Sequence, residues 1–167
     1  MKFMGLILLF AGCTAWGWIR SLRLGEAVRF WEQFLKFALY AENALRCAGM
    51  PIGELMRQYA EAHPSFAPVT ECVHRWSGGE ELPAAWAAGV DSLYRTNRLP
   101  ETAESLLRDF GAGLGTTDLT GQLSHIAMYR ALGEEKRSAA RQEQESKSKM
   151  YPVLGAALGL GLDLLLL

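Results

Sequence analysis

Residues 25 to 47 read "GEAVRFWEQFLKFALYAENALRC", and this segment sets the expected fold class of the 167-residue chain. Its apolar side chains recur at steps of three and four residues, which is the spacing of one face of an α-helix. A face this wide must be covered by other helices, so the pattern predicts a helical bundle. The stepped set comprises Val28, Trp31, Leu35, Ala38 and Leu45, widened by Phe30, Phe34 and Phe37.

The rest of the chain between Arg20 and Lys149 also predicts helices. Alternating β-branched runs are absent there, while Ala, Leu, Glu, Arg and Gln dominate. Gly49 suits the end of the first helix and Pro51 discourages its continuation. We therefore expect an all-α protein with a bundle of about six helices. Further helices are expected at about 52–62, 65–76, 83–97 and 100–110, and after the glycine-rich residues 111–115.

Two apolar runs flank the bundle, at residues 3–19 and 150–167. Each would reach about 25 Å as a helix, slightly less than the roughly 30 Å of a hydrocarbon core. The basic residues beside the runs lie mostly on the side of the intervening chain, which predicts that this part is cytoplasmic. The expected organisation is an N-terminal transmembrane helix at 1–20, a cytoplasmic helical bundle at 21–149 and a C-terminal transmembrane helix at 150–167.

The sequence leaves several features of these flanking segments open. "FAGC" at Phe10 to Cys13 is close to a bacterial lipoprotein processing site, so cleavage and lipidation at Cys13 is an alternative to a retained anchor. The polar residues 134–149 either continue a helix as a charged stem or form a disordered linker. Asp163 either faces protein or water within the second span, or reaches the far interface. Gly155 and Gly159 would permit close helix packing.

Composition excludes some classes of function. The formal net charge is −1 and no basic stripe interleaved with aromatics occurs, so nucleic acid is not an expected partner. Three cysteines, Cys13, Cys47 and Cys72, have no paired spacing typical of a disulfide framework or a zinc site. A reducing compartment fits this pattern, and no cofactor or metal is expected.

The segment "GAGLGTTDLTGQL", residues 111 to 123, resembles a phosphate-binding loop at first sight. Such loops present backbone N–H groups at a helix N-terminus, but the P-loop also needs a lysine and the dinucleotide version a preceding strand. Neither is present. Thr116, Thr117 and Asp118 can instead each cap a following helix. The segment is therefore predicted to be a joint between two helices.

Catalytic pairs are not evident elsewhere. Cys72 and His74 are two residues apart, which on a helix points them in different directions. Glu42 is more informative, because it occupies an apolar step of the first helix. A carboxylate there needs a partner such as Arg46 or a basic side chain of another helix, faces outward at a subunit contact, or lies exposed at the edge of the face.

The glycine segment and its surroundings resemble a known family. "FGAGLGTTDLTGQLSHI", Phe110 to Ile126, and "KSKMYPVLGAALGLGLDLLLL" at the end look like the stage III sporulation protein AB family of endospore-forming bacteria. The short N-terminal span, Pro51 and Trp86 match as well. The matching residues are Phe110, Gly111, Leu114, Gly115, Asp118, Gln122, His125 and Ile126, then Lys149, Met150, Leu154, Gly155 and Gly159.

The resemblance implies a role. Members of this family are similar to the cytoplasmic helical domains of the F-type inner-membrane platform proteins of type II secretion and type IV pili. This implies a mother-cell membrane protein of the assembly that links mother cell and forespore during engulfment. Other subunits of that assembly, including an ATPase, are the expected partners, and a homo-oligomer is left open.

Two functional hypotheses follow from the sequence. The first is a non-enzymatic membrane platform or adaptor subunit whose surface docks partner proteins. The alternative is a lipid-anchored or membrane-associated enzyme that uses a nucleotide bound at the glycine segment.

Overall fold

The computed structural model describes residues 2–96, 99–100, 103–147, 150 and 153, with residues 2–24 described by their backbone alone. Within these ranges the chain forms six α-helices and no strand, which confirms the all-α fold class. The helices are α1 Lys2–Ala48, α2 Ile52–Ala62, α3 Ala67–Ser77, α4 Leu82–Arg95, α5 Glu104–Ala112 and α6 Leu119–Lys147.

The junction between α1 and α2 has the predicted chemistry. Gly49 adopts a φ of +56°, a left-handed conformation that favours glycine, and its N–H donates to the Leu45 carbonyl at 3.2 Å. Pro51 is extended, with φ −58° and ψ 143°, and immediately precedes α2. Its carbonyl accepts the Leu55 N–H at 3.0 Å, which closes the first turn of that helix.

Two helices begin at other residues than expected, and the structure decides one alternative that the sequence left open. The first long helix does not begin near Gly25, because α1 is continuous from Lys2. The helix expected from Pro100 begins at Glu104, since the Ala103 N–H donates to the Pro100 carbonyl at 2.9 Å and forms a turn first. The polar residues 134–147 are helical as the end of α6, so this part is a stem rather than a linker.

The flanking segments are described only in part. Among the described residues, no helix combines the length and the apolar character needed to cross a membrane. Of the expected C-terminal span, Met150 and Val153 are described, whereas Leu154, Gly155, Gly159 and Asp163 lie outside the described residues.

The chain divides into two compact units. One consists of Met1–Arg29 with Arg137–Leu167, and the other is Phe30–Lys136. The second unit contains the aromatic core that organises the bundle. Within it α2 packs on α3, α3 on α4, and α4 on α5.

Phe37 lies at the centre of that core. Its ring centroid is 5.0 Å from that of Tyr59 on α2 and 5.8 Å from that of Phe66, which precedes α3. The corresponding distances are 6.4 Å to Trp86 on α4 and 6.1 Å to Phe110 on α5. Aromatic pairs at these separations add to the stabilisation from burial. Phe37, one of the aromatic residues that widen the apolar face of α1, therefore packs against residues of the shorter helices or of the segment before α3.

Trp86 joins α4 to α5. Its indole Nε1–H donates to the Leu107 carbonyl at 2.6 Å, in the buried interior. A Cβ added to Gly111 would overlap with the same indole. Glycine inside a helix costs about 0.5–1 kcal/mol relative to alanine, and here that cost permits the close approach of α5 to Trp86.

Replacing Gly111 with alanine should lower the free energy of unfolding by about 1–3 kcal/mol, because the added methyl group has no space beside the indole. The matched control is Ala112→Ser at the next position, which is exposed. Urea unfolding of the full-length protein in detergent, followed by far-UV circular dichroism, measures both. Equal midpoints for the two variants would contradict the packing argument.

Candidate functional site

The family-like glycine segment forms a compact joint between α5 and α6. Helix α5 ends at Ala112 and α6 begins at Leu119. Gly115 has a φ of +75°, so the chain reverses through a conformation that residues with a Cβ avoid. Leu114, immediately before it, is buried and donates its N–H to the Gly111 carbonyl at 3.1 Å.

Asp118 begins α6 as its N-terminal cap. Its Oδ1 accepts the Gly121 N–H at 3.0 Å, three residues into the new helix, while its carbonyl accepts the Gln122 N–H at 2.9 Å. One first-turn N–H that has no partner within the helix is thereby satisfied. The prediction that this segment is a capped joint is confirmed.

Gln122 holds the joint closed with both ends of its amide. Its Oε1 accepts the Gly115 N–H at 3.1 Å. Its Nε2 donates to the Gly113 carbonyl and to the Thr117 hydroxyl, each at 3.0 Å. The side chain is buried, and three polar partners satisfy it. One residue of α6 therefore bonds three residues of the preceding turn.

His125, one turn further along α6, fastens this helix to the end of α5. Its Nε2 lies 2.8 Å from the Phe110 carbonyl. Because a carbonyl only accepts, Nε2 carries the proton in this contact. The imidazole also stacks on the Phe110 ring at 5.6 Å and 20°. A Cβ at Gly113 would overlap with the imidazole, so this glycine provides space rather than an unusual φ.

The polar groups of the joint form hydrogen bonds within the protein. The N–H groups of Gly115 and Gly121, which a phosphate would need, already donate to Gln122 and Asp118. Nε2 of His125 is bound to a carbonyl. The arrangement is therefore that of a structural joint, which fixes the direction in which α6 leaves α5.

Cys72 is also unsuited to nucleophilic chemistry. It is fully buried in α3, and its Sγ lies 3.9 Å from the Leu82 carbonyl. Burial raises the pKa of the thiol to about 12, and the negative charge of Glu80 acts in the same direction. The reactive thiolate is thus disfavoured. Across the described ranges, no group of three or more His, Cys, Asp or Glu side chains is placed to hold a metal ion.

Glu42 forms a second polar site, on α1. The residue is only 8% exposed, and its Oε1 accepts a hydrogen bond from Arg46 Nη2 at 2.8 Å. Arg130 of α6 brings Nη1 to 3.4 Å from Oε2, an ion-pair distance without the geometry of a hydrogen bond. Both kinds of partner expected from the sequence are therefore present, one on the same helix and one on another.

The structure brings together the residues of the joint and leaves others apart from it. Pro51 lies before α2, and Glu42 belongs to its own cluster on α1. Met150 is exposed, and Lys149 lies outside the described residues with Leu154, Gly155 and Gly159. Functional roles for all of these residues remain predictions. The joint unites Trp86, Phe110, Gly111, Leu114, Gly115, Asp118, Gln122 and His125.

Sequence reasoning missed two contacts. It did not pair Trp86 with Leu107 and Gly111, and it did not identify Arg130 as the partner of Glu42 from another helix. For the first, Gly111 opens the glycine-rich residues 111–115, so its sequence context predicts the end of a helix and not a close approach to a tryptophan. The second had no local signal, since 88 positions along the chain separate Arg130 from Glu42.

Comparison with known proteins assigns the family. The sequence profile of Stage III sporulation protein AB (spore_III_AB) matches residues 2–167. The chain belongs to the stage III sporulation protein AB family. Stage III sporulation protein AB of Bacillus subtilis (strain 168) is 31% identical over 129 residues, covering 77% of this chain and 73% of the relative. No solved structure matches the chain.

The cap assignment predicts the effect of changing Asp118. Asp118→Ala should lower the free energy of unfolding by about 0.5–2 kcal/mol, because Gly121 loses its acceptor. Asp118→Asn is the matched control, since its amide oxygen can still accept, and should remain close to the unmodified protein. Denaturant melts of the full-length protein compare the two. An Asn variant as unstable as the Ala variant would count against a capping role.

The raised pKa of Cys72 predicts selective thiol chemistry. At pH 8 only about one Cys72 in ten thousand is ionised, given a pKa of about 12, so alkylation of the folded protein should spare it. Cys47 is exposed and should react. Peptide mass spectrometry after iodoacetamide treatment measures each site, and urea-unfolded protein provides the control in which both react. Equal labelling of both sites in the folded protein would refute the assignment.

Proposed function

We propose that this chain is a non-enzymatic platform or adaptor subunit of a sporulation-specific, secretion-like assembly between mother cell and forespore. Its helical bundle would dock other subunits of that assembly, including an ATPase. Membership of the stage III sporulation protein AB family over residues 2–167 supports the sporulation context. The adaptor role rests in addition on the chemistry of the bundle.

The observation that carries the adaptor role is that the candidate chemical groups are engaged in holding the fold. The joint N–H groups bond to Gln122 and Asp118, and the imidazole of His125 bonds to a backbone carbonyl. The thiol of Cys72 is buried, with its pKa raised to about 12 by desolvation. Because these candidate groups stabilise the fold, we infer that the protein acts by binding partners through its surface.

A nucleotide-using enzyme fits the same geometry less well. A phosphate at the glycine segment would have to displace the amide of Gln122 from Gly115 and the carboxylate of Asp118 from Gly121. Asp118 would also repel it, because both groups are negatively charged.

The proposed location is the mother-cell membrane, with the bundle in the cytoplasm. Residues 1–20 and 150–167 would span the bilayer as helices. The apolar composition of the two runs supports this arrangement, and so do the basic residues that lie between them.

Co-purification from sporulating cells tests the proposal. The full-length chain, tagged and produced at its natural level, should recover other stage III sporulation subunits and an ATPase after detergent solubilisation. Quantitative mass spectrometry should find these proteins enriched about tenfold or more over the control bait.

The control is an unrelated membrane protein with two spans, carrying the same tag and produced at the same level. Recovery of the same proteins with both baits would remove the support for docking. A well-folded, correctly localised chain that enriches no subunit of the assembly would overturn the proposal.

A further inference from the structure

The ion-pair cluster formed by Glu42, Arg46 and Arg130 contains more positive than negative charge. Two guanidinium groups face one carboxylate, which leaves a formal surplus of one positive charge. The carboxylate is buried, but the side chains of Arg46 and Arg130 are 62% and 44% exposed. Their contacts with Glu42 therefore leave much of each arginine side chain exposed to water.

The guanidinium groups retain capacity for a second anion. Each arginine carries five N–H donors. The contacts with Glu42 use Nη2 of Arg46 and Nη1 of Arg130. Because Glu42 is held inside the bundle, it fixes two long side chains over one place on the surface. Such positioning reduces the conformational entropy that a partner must overcome on binding.

An exposed apolar side chain lies on the same helix, one turn before Glu42. Leu39 precedes Glu42 by three residues on α1, so the two share a helix face, and Arg46 follows one turn later. Leu39 is 47% exposed, although Ala41 and Leu45 on the same helix are buried. The surface thus combines an apolar contact with two donors that prefer carboxylates.

We propose that the surface formed by Leu39, Arg46 and Arg130 docks an acidic segment of a partner protein that also carries an apolar side chain. Carboxylates of this segment would take the outward N–H donors of the two arginines, and its apolar side chain would cover Leu39. The inference rests on the proposed adaptor function and specifies where and by what chemistry docking occurs.

Charge complementarity favours this occupant over the alternatives. A nucleic acid or an anionic lipid surface is bound through many basic groups, whereas this cluster has two arginines and an internal carboxylate that repels phosphate. A bidentate arginine contact matches the planar geometry of a carboxylate. A second copy of the chain is an outcome that the experiment separates from a different partner.

The test is site-specific photo-crosslinking in sporulating cells. The full-length tagged chain carries benzoylphenylalanine in place of Leu39, and the crosslinked peptide is identified by mass spectrometry. We expect an adduct with a segment of another protein that bears two or more Asp or Glu residues within two helical turns. The adduct yield should fall as sodium chloride is raised in membranes prepared from these cells.

Two variants separate recognition from folding. The triple change Glu42→Gln, Arg46→Gln and Arg130→Gln removes both guanidinium groups and their positive charges without leaving a buried charge unpaired, and should reduce the adduct about tenfold or more. The double change Arg57→Gln and Arg95→Gln removes two exposed arginines from α2 and α4 and should leave the adduct unchanged. Thermal melts establish that both proteins are folded.

Several outcomes would overturn the proposal. These are an adduct unaffected by the triple change in folded protein, an adduct with a segment that lacks acidic residues, an adduct with lipid or with a second copy alone, and no adduct. If the assembly subunits still co-purify in such a case, the docking surface is wrong and the adaptor function stands. If they do not co-purify with the tagged, unmodified chain either, the proposed function fails as well.

Discussion

The contact between Trp86 and α5 is the constraint on which the joint depends. The indole donates to the Leu107 carbonyl and occupies the space that a side chain at position 111 would need. This fixes the end of α5, and Phe110 then makes a T-shaped contact with Phe37 and stacks on the imidazole of His125. The direction of α6 therefore depends on Trp86 of α4. Its effect passes through Phe110 and Gly111, which are adjacent in the sequence.

The residues whose types first suggest a catalytic site have structural roles in this fold. A glycine segment, a histidine and a cysteine can all belong to a catalytic site. Here the N–H of Gly115 donates to the side chain of Gln122, Nε2 of His125 donates to a backbone carbonyl, and the thiol of Cys72 is buried. Buried polar groups need hydrogen-bond partners. In a turn without regular backbone hydrogen bonds, the side chain of a glutamine or a histidine can supply these partners.

The sequence predicted the fold class and the chemistry of the joint well, because both depend on local patterns. Helical spacing identified the α1 face, and a capped joint followed from residue type and the lack of a lysine or strand, with Thr116, Thr117 and Asp118 all left as possible caps. The pairing of Trp86 with Gly111 and of Arg130 with Glu42 was not predicted, since long-range packing leaves no periodic trace. The start of α5 was misplaced for a related reason: Pro100 suits a first helical turn as well as the preceding turn that it actually forms.

Gln122 limits which sequences can build this joint. Its position requires a side chain that accepts from Gly115 while donating to Gly113 and Thr117. Glutamate would accept without donating, lysine would donate without accepting, and asparagine is one carbon shorter. A buried leucine such as Leu55 can be exchanged for methionine at small cost, because volume is nearly all that its site demands. The tolerance of the two positions to substitution should therefore differ widely, although both are buried.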